Sequence, residues 1–302
     1  MENIINDIQK LKKERNAVIL AHYYVDAELQ KIADYVGDSY YLAKAAKSSD
    51  ADTIVFCGVR FMGESAKILN PEKTVIMPDM GADCPMAHMV SREKIAELKS
   101  KYPDLAVVCY INSTAEIKAL SDVCVTSSNA VKIVRALENK NIYFIPDKNL
   151  GSYIKEQVPE KNIILGEGFC PIHNAFDTAE IERLKREHPS APVISHPECR
   201  GEVLAISDFK GSTSELIEYS RMSKEAEFIV CTERGVLYEM EKRSPEKKFY
   251  FADKGRICAD MKLNTLEKLR DALQSGTNVI EVSEELRKKA LVSLDRMMEL
   301  GK

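Results

Sequence analysis

Three stretches of this chain can be laid over one another without a gap, and nothing else in the sequence constrains the fold as tightly. Residues 22–39 (HYYVDAELQKIADYVGDS) align with residues 110–127 (YINSTAEIKALSDVCVTS) and 196–213 (HPECRGEVLAISDFKGST). The starts lie 88 and 86 residues apart. Glu28, Glu116 and Glu202 coincide, as do Asp34, Asp122 and Asp208, and the hydroxyls Ser39, Ser127 and Thr213. The register then continues through an apolar strand (TIVFCG, IYFIPD, FIVCTE), a helix, a Pro-Glu-Lys turn at Pro71, Pro159 and Pro245, and a short strand. Each copy closes on a cysteine: Cys84, Cys170 or Cys258.

Each copy alternates short β-branched strands with helical stretches. The leading strands are VILAHYY, LAVVCY and PVISHPE. That pattern predicts parallel sheet covered by helices, joined by right-handed crossovers. The expected fold is α/β: three pseudo-threefold-related three-layer αβα repeats around a central cavity. The predicted units are 1–85 with the tail 260–302, then 86–171, then 172–259. In the tail, Asn264 and Glu267 stand at capping-box spacing, and Leu286, Ala290, Leu294 and Met297 make one apolar helix face. The final helix is expected to pack on the first unit beside the N-terminal helix.

Composition narrows the class. The 302 residues are 45% hydrophobic and 30% charged, enough for a sizeable core. Lys and Arg number 43 against 47 Asp and Glu, a net charge of −4, so no nucleic-acid or acidic-membrane footprint is present. No apolar run approaches the roughly 20 residues of a membrane span. The start, MENIINDIQKLKKERN, reads as a charged amphipathic helix and not a signal peptide. The expected location is cytoplasmic, with reduced thiols. Eight cysteines are present and none forms a CxxC pair. Cys84, Cys170 and Cys258 alone fill one register position in all three copies. Cys57 and Cys231 are equivalent, but the middle copy has Ile145 there. For these and for Cys109, Cys124 and Cys199, burial is the default.

Three units around an axis bring equivalent loops together at the carboxyl ends of their strands. Three thiolates there, without a fourth protein ligand, favour a [4Fe–4S] cluster with one open, Lewis-acidic iron. A zinc ion completed by another ligand, or three metal-free buried thiols, are the alternatives. The leading-strand ends place His22, Tyr110 and His196 in register, and two residues later Tyr24, Asn112 and Glu198. Six polar groups at equivalent sites suggest a pocket, whereas Tyr23 and Tyr41 lack the register and read as packing. Ser39, Ser127 and Thr213 each precede a helix and are expected to cap it. Helix N-termini aimed at one axis attract anions, so a small substrate with carboxylates or a phosphate is implied.

The segments AHYY, IADYVGDSYYLAK, YINSTAEIKALSDV, TSSNAVKIV, IPDKNLG, GFCPIH, HPEC and GSTSELI, with the stretch around Cys84-Pro85, resemble the quinolinate synthase family of NAD biosynthesis. The likeness runs across nearly the whole chain in the right order. It implies condensation of iminoaspartate with dihydroxyacetone phosphate to quinolinate, phosphate and water, with iminoaspartate supplied by an L-aspartate oxidase or dehydrogenase. It implies a [4Fe–4S] cluster on Cys84, Cys170 and Cys258. It implies substrate contacts from His22, Ser39, Tyr110, Ile111, Asn112, Ser127, His196, Pro197, Glu198 and Thr213. Catalytic roles fall to Tyr24, Glu198, Tyr110 and His196, with Tyr24 and Glu198 as the acid/base groups. The chain departs from the family's pattern at Val25, His88, Ala259 and Asp260. Reductases or diphthamide-forming proteins of similar plan, and a non-catalytic metal-stabilised module, are the rival readings.

Overall fold

In the computed structural model, residues 2–252 and 256–301 are described. They contain three four-stranded sheets with the same strand order. The first holds β1 (Ala17–His22), β2 (Tyr35–Gly37), β3 (Thr53–Cys57) and β4 (Thr74–Ile76). The second holds β5 (Ala106–Tyr110), β6 (Val123–Val125), β7 (Asn141–Ile145) and β8 (Asn162–Leu165). The third holds β9 (Val193–Ser195), β10 (Phe209–Lys210), β11 (Glu227–Cys231) and β12 (Lys248–Phe251). Spatial orders are β2-β1-β3-β4, β6-β5-β7-β8 and β10-β9-β11-β12, every ladder parallel. Helices connect the strands, as parallel pairing requires. The fold is the α/β architecture of three αβα units that the repeats imply.

The register of the repeats is the register of the sheets. Ala21 pairs with Cys57, Cys109 with Ile145, and Ser195 with Cys231. The repeated aspartates explain themselves here. Asp34 accepts the Ile19 N–H at 2.8 Å, Asp122 the Val107 N–H at 2.7 Å, and Asp208 the Val193 N–H at 2.7 Å. Each also donates its own N–H to the carbonyl of that same residue. The pair of bonds clasps the leading strand at the edge where the short second strand begins. Glu28, Glu116 and Glu202 occupy the first turns of helices Ala27–Ile32, Ala115–Lys118 and Gly201–Ala205, where the helix field favours a carboxylate.

Two expectations about the tail are corrected. The N-terminal helix Glu2–Glu14 packs beside helix Leu266–Ser275, whose last carbonyls accept from Arg15. The final helix Glu284–Leu300 lies elsewhere, between helix Arg60–Leu69 of the first unit and the β6 side of the second. Ser293 donates to the Lys118 carbonyl at 2.9 Å, and the Cys124 thiol donates to Ser293 at 3.3 Å. Its apolar face, with Ala290, Leu294 and Met297 buried, is thus shared by two units. The cap of helix Leu266–Ser275 is Thr265, which accepts from Lys268; Asn264 is buried and donates to the carbonyls of Gly58 and Met261. Tyr23 is buried among core residues of the third unit, but Tyr41 is 44% exposed and is no core residue.

Candidate active site

All three register sets open onto one cavity. Its wall includes His22, Tyr24, Ser39, Tyr110, Asn112, Ser127, His196, Glu198, Thr213, Cys84, Cys170 and Cys258. The paired polar residues stand at or just beyond the ends of β1, β5 and β9, on the turns leaving each sheet. Ile111 and Pro197 are the middle residues of two of these turns. Their side chains are buried outside the cavity wall, and the Ile111 N–H donates to Val125 O at 2.8 Å.

The hydroxyls do not cap their helices, contrary to expectation. Asp38 caps helix Ser39–Ser48, accepting from Tyr41 N–H, and Ser212 caps helix Thr213–Met222 in a capping box with Glu215. Asn129, not Ser127, holds the cap position of helix Ala130–Ala136. Because the neighbour takes the capping bond at Ser39 and Thr213, the hydroxyl one residue on is released to the cavity.

Two imidazoles are held in one tautomer by the same local device. The Tyr24 N–H donates to His22 Nδ1 at 3.2 Å, and the Glu198 N–H donates to His196 Nδ1 at 3.3 Å. Burial pushes both rings down to about 3, so both are neutral near pH 7. A neutral ring whose Nδ1 accepts must carry its proton on Nε2. The hydrogen-bond network therefore assigns two Nε2–H donors.

Glu198 is the hub. Its Oε1 accepts from the Tyr110 phenol at 2.5 Å, and its Oε2 lies 2.7 Å from His173 Nδ1. Burial opposes its charge, but His173 and His196, with the hydrogen bonds from His173 and Tyr110, outweigh it and hold the carboxyl below the usual range. Burial keeps Tyr24 and Tyr110 well above ordinary phenols, with Glu198 adding to both shifts, so each remains a proton carrier. Tyr24 Oη lies 2.7 Å from Thr213 Oγ1 and 2.9 Å from Thr232 Oγ1.

The three register cysteines differ from the other five: they are partly exposed, and the rest are buried. Each occupies the cap position of a short helical turn, Pro85–His88, Pro171–Asn174 or Ala259–Lys262. Each N–H is tied to a carboxylate: Cys84 to Asp83 at 2.8 Å, Cys170 to Asp147 at 3.1 Å and Cys258 to Glu233 at 3.1 Å. Burial raises all three thiols, Cys258 to about 11, so a bound cation is needed to hold them as thiolates. Among the described residues, the tightest group of ligand atoms is Cys170 Sγ, His173 and Glu198, mutually within 4.8 Å. Cys84, Cys170 and Cys258 line the same cavity, and three soft sulfur donors, one from each unit, suit a soft metal centre such as an iron–sulfur cluster.

Sequence reasoning missed His173, Asp147 and Glu233. His173 stacks on His196 with centroids 4.6 Å apart, and its Nε2 lies 2.9 Å from Thr232 Oγ1. Its register partners Ala87 and Met261 are apolar, so the repeat carries no signal for it. Asp147 and Glu233 are fully buried, in register with each other, and matched in the first unit by Val59. Gly235 is required beside Glu233, since a Cβ there would stand 2.8 Å from the Tyr24 backbone.

A sequence model of the family described as "Quinolinate synthetase A protein" matches residues 6–299. The chain belongs to this family. It is 56% identical over 294 residues to the quinolinate synthase of Fusobacterium nucleatum, covering 97% of this chain and 98% of that one. The quinolinate synthase of Caldicellulosiruptor bescii is 54% identical over 301 residues, with 100% and 99% covered. That of Clostridium perfringens is 54% identical over 299 residues, with 99% of each covered. Each of the three units contributes residues to the cavity wall. No helix among the described residues is long and apolar enough to cross a membrane.

Proposed function

We propose that this chain condenses iminoaspartate with dihydroxyacetone phosphate to give quinolinate, with loss of phosphate and water, in the cytoplasm. The observation that carries the reading is the meeting of strand-end pairs, hydroxyls and cysteines from all three units in one cavity. Among the described residues no Lys or Arg lines it. Anions would be met by neutral N–H and O–H donors and by the N-termini of helices Ser39–Ser48 and Thr213–Met222. His22 and His196 present Nε2–H to substrate oxygens. Ser39, Ser127 and Thr213 add hydroxyls, and the buried Asn112 Oδ1, without a partner among the described residues, offers an acceptor. The backbone at Ile111 and Pro197 carries the two turns against the substrate.

Cys84, Cys170 and Cys258 would hold a [4Fe–4S] cluster, whose iron without a protein ligand supplies Lewis-acid polarisation of hydroxyl and carbonyl oxygens. Proton movement belongs to the residues. With Tyr110 and His173 both donating to it, the Glu198 carboxylate is a weak base. A donor that turns to substrate frees one of its oxygens, and Glu198 then takes the proton in isomerisation. Tyr24, kept as a phenol, returns a proton, relayed through Thr213 or Thr232. An L-aspartate oxidase or dehydrogenase would supply iminoaspartate.

The test is turnover of the anaerobically loaded enzyme with dihydroxyacetone phosphate and iminoaspartate generated in place, without any reductant. Quinolinate should accumulate, since the condensation involves no net redox change. Loaded protein that makes none, or that needs an electron donor, overturns the assignment.

A further inference from the structure

Gln30 and Lys118 stand 88 residues apart in equivalent positions, and both are buried, at 2% and 0% exposed. Each lies on the short helix that follows a cavity turn, Ala27–Ile32 or Ala115–Lys118. Gln30 Nε2 donates to the Val25 carbonyl at 2.9 Å, and Lys118 Nζ donates to the Ser113 carbonyl. Val25 and Ser113 are themselves register partners. The same reach-back therefore occurs in two units, made once by an amide and once by an ammonium. Gln30 also donates to the carbonyls of Tyr23, at 2.9 Å, and Gly235, at 3.1 Å. Ser113 in turn donates from Oγ to the Tyr110 carbonyl at 3.0 Å.

In the third unit the equivalent residue is Leu204, which has nothing to donate. There the turn is held from the neighbouring unit, where Asn149 Nδ2 donates to the Glu198 carbonyl at 3.0 Å. Lys118 is the costliest of these anchors. Among the described residues no carboxylate pairs with it, and its ammonium faces the Phe61 ring at 5.4 Å. An ammonium buried without a carboxylate beside it is a costly anchor, and an apolar side chain of its size would pack at less cost.

We infer that Gln30 and Lys118 are positioning residues that fix the turns 22–25 and 110–113, so that His22, Tyr24, Tyr110 and Asn112 present their polar groups to the substrate in one geometry. The kinetic consequence rests on the function proposed above; the anchoring itself does not. Displacement of substrate-contacting groups by an ångström can cost roughly 100-fold in rate.

The experiment compares wild type, Lys118→Met, Lys118→Gln and Gln30→Leu as loaded enzymes. It reads iron content, steady-state kinetics and hydrogen exchange of residues 110–114 and 22–25. Lys118→Met should keep its iron, lose at least about tenfold in kcat/KM for iminoaspartate mainly through KM, and exchange the Ser113 amide at least about tenfold faster. Lys118→Gln, which installs the first unit's own solution, should recover most of both. Unchanged kinetics and exchange in Lys118→Met, or a Gln variant as impaired as the Met variant, overturns the inference. Should Lys118→Met not fold, Gln30→Leu decides in the same way: faster exchange at 22–25 with lower kcat/KM supports the anchor, and no change removes it. A wild type that makes no quinolinate fails the function alone, and the exchange data still judge the anchors.

Discussion

The strand clasps and the cavity wall occupy equivalent positions in the same three units, yet they have diverged to opposite degrees. At the clasp, the residue is aspartate three times, and each accepts a strand N–H within 2.7–2.8 Å. At the wall, the equivalent triplets are His22, Tyr110 and His196, then Tyr24, Asn112 and Glu198. One task, holding a parallel strand edge, is common to every unit and accepts one answer. The other task is shared among the units, and an asymmetric reaction needs a different group from each. The cysteines side with the clasps: a single residue type is repeated, as the proposed cluster, whose corners are alike, would require. Symmetry is thus complete at the clasps and the cysteines and breaks at the strand-end pairs.

The comparison breaks most visibly at the cysteines. Cys170→Ala should abolish activity and lower bound iron, whereas Cys199→Ala, at a buried thiol of the third unit, should keep both. Iron analysis of the two variants checks this. Glu198→Gln should retain the cluster spectrum and lose about 10²–10⁴ in kcat, the usual contribution of a positioned acid/base group; steady-state assays read it. The neutral imidazoles come next. In the fold His22 and His196 stay neutral down to about 3, while in the unfolded chain they take up protons near 6.5. Their contribution to stability is complete above about pH 6.5 and is lost as the pH falls, by about 1.4 kcal/mol for each ring at pH 5.5. Denaturant titrations of wild type and His22→Gln/His196→Gln at pH 7.5 and 5.5 should show the gap between them change by nearly twice that amount. Smallest is the clasp. Asp122→Ala should cost about 1–2 kcal/mol of stability and leave kcat of the loaded enzyme unchanged. Comparable effects from Asp34→Ala and Asp208→Ala would confirm that the clasp is one device used three times.

Most of this was legible because a repeat supplies its own comparison. Register alone separated three cysteines from eight and placed the six strand-end residues in one cavity. What escaped depended on groups without a triplet. His173 has apolar partners, so nothing in the repeat announces that it holds Glu198. Asp147 and Glu233 recur in only two units, because Asp83 ties the Cys84 N–H in the first. The misread caps have a physical cause as well. Ser, Thr, Asn and Asp are all competent caps, and in runs such as DS, TSSN, ST and NT the sequence does not say which residue takes the cap position. The final helix was misplaced because an apolar face states what it will bury against only when just one hydrophobic partner is available. Here two units offered one.

We propose that the matched cysteines of the three units hold one iron–sulfur cluster in the shared cavity. Iron and acid-labile sulfide counts on anaerobically purified protein test it most directly. About four of each per chain, with iron falling in Cys84→Ala, Cys170→Ala and Cys258→Ala alike, is the predicted result. Zinc in place of iron, or a full iron complement in any one of those variants, would contradict it.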